Sequence, residues 1–228
     1  MDDALIQARN LSRSYRNGRE QITVLHGLSL ELRQGEAVAV IGPSGSGKST
    51  LLNLLNGLIP PDSGELQVFG RRRSTLTERD WAELRRTRIA TLFQDGNLIP
   101  TLTVSRNIAF RAGLAGLSQH DGEALLEHLA IADTAHRYPD QISGGQRQRA
   151  ALACAFVMQP DVMLADEPTG SLDYATAQRV APLFFDAIRE RGLAALIVTH
   201  NPELARRCDR ILELRQGALR PWDSARSF

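Results

Sequence analysis

Residues 37–54 read Ala37-Val38-Ala39-Val40-Ile41-Gly42-Pro43-Ser44-Gly45-Ser46-Gly47-Lys48-Ser49-Thr50-Leu51-Leu52-Asn53-Leu54. The first five are apolar on both faces, as in a strand buried within a parallel sheet. A loop with glycines at 42, 45 and 47 follows, and then apolar residues at helical spacing. The segment matches G-x-x-x-x-G-K-[ST] in the context that gives that pattern meaning, a strand before it and a helix after it. Glycines let the backbone curl tightly enough to aim successive N–H groups inward, and the helix N-terminus adds about half a positive charge. The expected cradle for a polyphosphate comprises Gly42, Pro43, Ser44, Gly45, Ser46, Gly47, Lys48, Ser49 and Thr50. Lys48 is expected to reach the β and γ phosphates and the Ser49 hydroxyl to ligate Mg²⁺.

Working outward, three more runs share the doubly buried character: IATLF at 89–93, VMLA at 162–165 and LAALIVT at 193–199. Helical signals lie between them, in STLLNLLNGL, in TERDWAELRR with a Thr77 and Asp80 capping box, and in GGQRQRAALACAFVMQ. This alternation predicts an α/β domain with a mainly parallel core sheet. Leu28 to Leu32 alternate apolar and polar, and Glu65 to Phe69, after Asp62-Ser63-Gly64, look like an edge element; together they predict a small antiparallel sheet near the N-terminus. From Gln94 to Pro160 helical stretches such as GEALLEHLAI follow one another without a convincing strand. The expected organisation is one domain, with a core of 1–93 and 161–228 and a helical subdomain of 94–160.

The apolar strand at 162–165 ends in Asp166 and Glu167. Adjacent acids at a strand end point in different directions and can divide the labour, Asp166 holding Mg²⁺ through its water shell and Glu167 polarising an attacking water. Alone, such a pair is an ordinary acidic turn; behind a phosphate loop it reads as catalytic. His200, just past LIVT, is alone a structural or surface histidine, and with this constellation it is expected to hydrogen-bond the γ-phosphate. The amide oxygen of Gln94 can ligate Mg²⁺ or the attacking water.

Composition narrows the partners. Across 228 residues, 27 Lys plus Arg meet 26 Asp plus Glu, so a net charge of +1 supplies no field that would recruit nucleic acid or anionic lipid. Two cysteines, Cys154 and Cys208, read as ordinary buried thiols and suit a reducing compartment. The first residues, MDDALIQARN, carry two acids and no apolar signal region, and the apolar stretches fall well short of the roughly 20 residues a membrane span needs. A membrane role is therefore expected to require another chain.

The segment Gln141-Ile142-Ser143-Gly144-Gly145-Gln146-Arg147-Gln148-Arg149 resembles the LSGGQ signature of ATP-binding cassettes, and it stands in the family's order between Gln94 and ADEPTGSLD (165–173) with His200 behind. The resemblance spans nearly the entire chain and implies a phosphate-loop NTPase cassette. It implies a head-to-tail homodimer in which the cradle of one copy and Ser143, Gly144, Gly145 and Gln146 of the other enclose each ATP, with Asp173 reaching across. Ser143 is also a plain N-cap candidate, and both roles are compatible. Tyr15 stands where the family stacks an aromatic ring on adenine; by itself it is a packed or half-exposed tyrosine.

Within the family, Phe93 to Val104 and ADEPTGSLD are similar to the group that includes the macrolide and lipoprotein-releasing exporters. That similarity implies ATP hydrolysis coupled to a separate integral membrane permease, by mechanotransmission, from the cytoplasmic face of the inner membrane. The alternative is the ATPase of a regulatory or cell-division membrane complex. Asp95-Gly96 replaces the aromatic or His often found there, Ser105-Arg106-Asn107 lacks the usual Glu before Asn, and Cys154 stands where Arg is common.

Overall fold

In the computed structural model, residues 4–18, 20–93, 98–118, 121–170 and 172–222 are described, with the side chain of Asn17 left aside. In chain order the strands and helices are β1 (Ala4–Asn17), β2 (Glu20–Arg33), β3 (Ala37–Ile41), α1 (Lys48–Leu55), β4 (Ser63–Val68), β5 (Arg71–Arg72), α2 (Glu78–Thr87) and β6 (Ile89–Leu92). They continue with α3 (Val104–Leu114), α4 (Gly122–His128), α5 (Gly144–Val157), β7 (Val162–Asp166), α6 (Tyr174–Glu190), β8 (Ala194–Val198), α7 (Pro202–Ala205), β9 (Arg210–Arg215) and β10 (Ala218–Pro221). Among the described residues one sheet runs β2-β1-β4-β5 and is antiparallel, and the other runs β10-β9-β3-β8-β7-β6. In the second sheet all neighbours are parallel except the β9–β10 hairpin.

The parallel strands are apolar on both faces because each face meets a different core. Val38, Val40, Val162, Leu164, Leu196 and Val198 face the antiparallel sheet and α1. The alternate residues Ala37, Met163, Ala165, Ala195 and Ile197 face the layer formed by α3, α5 and α6. Successive side chains of a strand point to opposite faces, so neither side could be polar without losing a core. Of the four core strands expected from sequence, each is present within one residue of its expected ends.

One expectation is corrected. The segment expected as an edge strand is β4, which begins at Ser63 and lies inside its sheet, paired with β1 on one side and with the short β5 on the other. Leu28 to Leu32 are the inner part of the much longer β2, paired with β1 throughout. From Leu98 to Met158 the described residues hold helices, short 3₁₀ turns and loops.

Helix α2 starts as its sequence requires. The Thr77 side chain accepts from the backbone N–H of Asp80 at 3.2 Å, and the Asp80 carboxylate accepts from the N–H of Thr77 at 2.8 Å. Hydrogen bonding from the Thr77 hydroxyl, then from its N–H, with Arg71 assisting, lowers the Asp80 pKa from 3.8 to about 2. Because the folded value lies below the unfolded one, the stabilisation is complete above about pH 4 and disappears as the pH falls toward about 2. Asp80→Asn is therefore expected to lower the melting temperature at neutral pH, with the gap from wild type closing as melts are repeated between pH 4 and pH 2. An unchanged gap across that range would show that the carboxylate charge contributes nothing to the cap.

Candidate functional site

The carboxyl ends of β3 and β7 open on one edge of the parallel sheet, and the loop after β3 curls there. Gly42 must be glycine, because a Cβ would stand 2.5 Å from the Leu214 carbonyl oxygen. Gly45 has φ 77° and Gly47 φ 104°, backbone that L side chains rarely adopt. At Gly47 a Cβ would also lie 2.7 Å from Cγ1 of Val24, so the β2 strand closes the floor of the loop. Helix α1 begins at Lys48, with Leu51, Leu52, Leu54 and Leu55 buried and its N-terminal N–H groups aimed at the loop. Its first-turn residues Lys48, Ser49 and Thr50 line a cavity of about 440 Å³ together with Val24, Ser44, Gly45, Gly47, Asp166, Glu167 and His200. Gly42, Pro43 and Ser46 complete the loop behind that lining, and the buried Ser46 hydroxyl has no hydrogen-bond partner among the described residues. Lys48 folds over the loop, its Nζ donating to the carbonyls of Gly42 at 2.9 Å and Pro43 at 3.0 Å.

The two acids diverge as their placement at a strand end predicts. Asp166 Oδ2 accepts from the Ser49 hydroxyl at 2.8 Å. Burial pushes the Asp166 carboxyl above its ordinary value, opposed by the Ser49 hydrogen bond, with the neighbouring Glu167 charge adding to the rise and Lys48 countering it. A carboxylate disfavoured by burial and paired with the Ser49 hydroxyl is a hard-oxygen donor set of the kind Mg²⁺ accepts. The residues present therefore fit a magnesium-bound polyphosphate, and the orphaned Ser46 hydroxyl fits the same reading.

Glu167 turns the other way. It is 8% exposed and sits at φ 48°, a left-handed conformation that is uncommon for a non-glycine residue and is over-determined here. Its N–H donates to the Val198 carbonyl, and its carbonyl accepts from the N–H of Gly170, both at 2.9 Å. The carboxylate accepts from the Thr199 hydroxyl at 2.8 Å, from the His200 N–H at 2.8 Å, and pairs with His200 Nδ1 at 2.6 Å. An ionised carboxylate only accepts, so Nδ1 carries the hydrogen, and the ring, 74% exposed, lines the cavity.

The remaining candidates are more dispersed. Tyr15 is 39% exposed on β1, with the Arg13 guanidinium 5.1 Å above its ring. Ser143 caps α5, accepting from the N–H of Gln146 at 3.2 Å while the Gln146 amide oxygen accepts from the N–H of Ser143 at 2.9 Å. Gly144 and Gly145 form the first turn. Among the described residues none of Tyr15, Ser143, Gly144, Gly145 or Gln146 lines the 440 Å³ cavity. Asp173 caps α6 by accepting from the N–H and the hydroxyl of Thr176. Gln94, Asp95, Gly96 and Ser171 lie outside the described residues.

Three residues at the site were not singled out in the sequence. Val24 closes the cradle, Thr199 holds Glu167, and Gln148 donates from Nε2 to the Pro168 carbonyl at 2.9 Å, tying α5 to the turn after Glu167. No local pattern marks Val24. Thr199 and Gln148 flank motif residues, and that adjacency was the one available signal.

The model of the ABC transporter family matches residues 25–170, more than half of the chain and from β2 to the turn after Glu167. The chain belongs to the ABC transporter family. A lipoprotein-releasing system ATP-binding protein of Novosphingobium aromaticivorans is 42% identical over 223 residues, 96% of this chain and 100% of that relative. An uncharacterized ABC transporter ATP-binding protein of Escherichia coli K12, YbbA, is 41% identical over 219 residues, 94% and 96% of the two chains. Among solved structures, the dimeric bacterial ABC transporter cassette MJ0796 has a TM-score of 0.86 at 35% identity, covering 98% of this chain and 100% of that one. The same cassette in a dimeric post-hydrolysis state bound to ADP and Pi gives a TM-score of 0.86 at 34% identity. As an ABC cassette, the chain is an ATP-binding ATPase, and its α/β fold, with the antiparallel sheet and the helical layer, is that of the cassette structures it matches.

Gly47→Ala combines left-handed strain of about 1–2 kcal/mol with a contact against Val24, so ATP affinity should fall by roughly tenfold or more. Titration with a fluorescent ATP analogue reads this directly, and binding equal to wild type would show that the Gly47 conformation is not needed by the cradle.

Proposed function

We propose that the chain hydrolyses Mg-ATP as one half of a nucleotide-sandwich homodimer, and that closure and opening of the dimer drive a separate integral membrane permease. The reading is carried by the opposite orientation of Asp166 and Glu167 at the end of β7, one bonded to the phosphate-loop helix and the other to the His200 segment. In this reading Gly42 to Thr50 bind the triphosphate, with Lys48 swinging from its carbonyls onto the β and γ phosphates. Ser49, Asp166 and Gln94 hold Mg²⁺, which supplies neutralisation of the charge on the β and γ phosphates. Glu167 draws a proton from the attacking water, and His200 hydrogen-bonds the γ-phosphate. Tyr15 stacks on adenine.

Ser143, Gly144, Gly145 and Gln146 face the triphosphate of the second copy. Two observations support this: the α5 N-terminus is an anion-seeking end built away from the chain's own cradle, and the related cassette was solved as a dimer. The division into a core of 1–93 and 161–228 and a helical subdomain of 94–160 gives the stroke a moving part. In the sequence Gln94 is the first residue of that subdomain, so in this reading a change at the γ-phosphate is passed to the helices and from them to the permease.

Similarity to lipoprotein-releasing ATP-binding proteins supports an exporter of the mechanotransmission type, seated on the cytoplasmic face of the inner membrane. The membrane component is a partner chain in this reading. Among the described residues no helix is long and apolar enough to cross a membrane.

Glu167→Gln should retain ATP binding and ATP-driven dimerisation while turnover falls by roughly 10²- to 10⁴-fold, the range for loss of a general base. Hydrolysis at the wild-type rate would refute the role given to Glu167. In mixed dimers, Ser143→Arg in one protomer should suppress hydrolysis in the cradle of its partner, because the bulk and charge block closure. Phosphate release assayed on dimers with one hydrolysis-competent cradle separates the two sites, and undiminished release there would remove the composite site.

A further inference from the structure

We propose that Thr199 is a positioning residue for hydrolysis: its hydroxyl aims the Oε2 atom of Glu167, and Oε2 is the atom that takes the proton of the attacking water. The inference rests on the reading of Glu167 as the base and goes beyond it by naming the reacting oxygen and the group that orients it. Each oxygen of an ionised carboxylate can accept about two hydrogen bonds. Oε1 is filled, taking the His200 N–H at 2.8 Å and the His200 ring nitrogen Nδ1 at 2.6 Å. Among the described residues Oε2 takes one, from the Thr199 hydroxyl at 2.8 Å, which leaves it a lone pair for a further donor.

Thr199 is suited to fix the direction of that lone pair. It is fully buried and follows the last residue of β8. Its N–H donates to the Val40 carbonyl at 3.1 Å, which anchors it to β3, the strand that leads into the phosphate loop. The hydroxyl accepts from the N–H of Asn201 at 3.0 Å, so its single hydrogen is directed to Glu167. The base is thereby referenced to the same strand as the phosphate cradle, and the two halves of the reaction share one rigid support. His200 holds the other oxygen from an exposed ring, which leaves it free to answer to the nucleotide while Thr199 keeps its place.

Thr199→Val removes the hydroxyl and keeps the branched shape. It should lower kcat by roughly 10- to 100-fold, the scale of a misplaced reacting group, with the KM for ATP and ATP-driven dimerisation near wild type. Thr199→Ser, which restores the hydroxyl, should recover most of the rate. Placed on Glu167→Gln, the Val substitution should lower turnover no further, because the group it orients is already gone. Melting temperatures check that each variant folds, and the Ser variant carries the test if the Val variant does not. Wild-type turnover in Thr199→Val, a Ser variant that folds yet is as slow as Val, or a further loss in the double variant would each overturn the proposal. If Glu167→Gln itself hydrolyses normally, it is the base assignment that fails, and the two failures are distinguishable.

Discussion

Asp166 and Glu167 are covalent neighbours at the end of one strand, the first half-buried and the second buried, and their repulsion has to be absorbed if both are to be ionised. Burial and the charge of Glu167 each push Asp166 toward its neutral form. The chain answers by giving the two carboxylates separate sets of donors on opposite sides. Asp166 remains on the strand and meets Ser49, while the left-handed turn at Glu167 throws the second carboxylate onto Thr199 and His200. A metal ion at Asp166 would relieve the remaining conflict by rewarding the ionised form.

That turn is also where the motifs of the chain meet. Gln148 from α5 donates to the carbonyl of Pro168, and a Cβ on Gly170 would stand 3.0 Å from Cβ of Glu167. Gly145, at the start of α5, leaves a Cβ position 3.1 Å from Cγ2 of Thr176, the residue whose N–H and hydroxyl Asp173 caps. The signature turn, the Glu167 turn and the start of α6 are thus one packed unit. The Gln148 bond to Pro168 gives a direct physical contact between α5 and the turn that carries Glu167.

The parts legible in the sequence were those in which one local pattern has one physical cause. β3, β6, β7 and β8 announce themselves because strands with a core on each face must be apolar throughout. The α2 cap and the Ser143 cap are written in side chains three residues apart. β1 escaped because its pairing with β2 slips at several points and Asn10 sits at φ 51°, which breaks the alternation that marks a half-buried strand. α6 escaped because Pro182 lies inside it, where Phe184 and Phe185 pack into the core and tertiary burial outweighs the missing backbone donor. The functions of Thr199, Val24 and Gln148 are tertiary, each depending on a residue 20 or more positions away, so no window of sequence could reveal them.

The departures from the family pattern divide along the same line between buried and exposed. Asn107 is buried and keeps four hydrogen bonds to the 99–103 loop, with its Oδ1 accepting from the N–H of Ile99 at 2.7 Å and its Nδ2 donating to Ile99, Leu102 and Thr103. Arg106, in place of the usual acid just before it, is exposed and reverses the charge of that surface without touching the staple. At Cys154 the exchange is internal: a thiol, 5% exposed and with its pKa pushed up to about 12 by burial, stands where the family often carries a cation. A neutral, inert side chain there needs no partner, whereas a guanidinium in the same core would need one. Relative to the pattern the sequence resembles, this chain carries a neutral thiol inside the helical layer and a cation, Arg106, on the exposed side of α3.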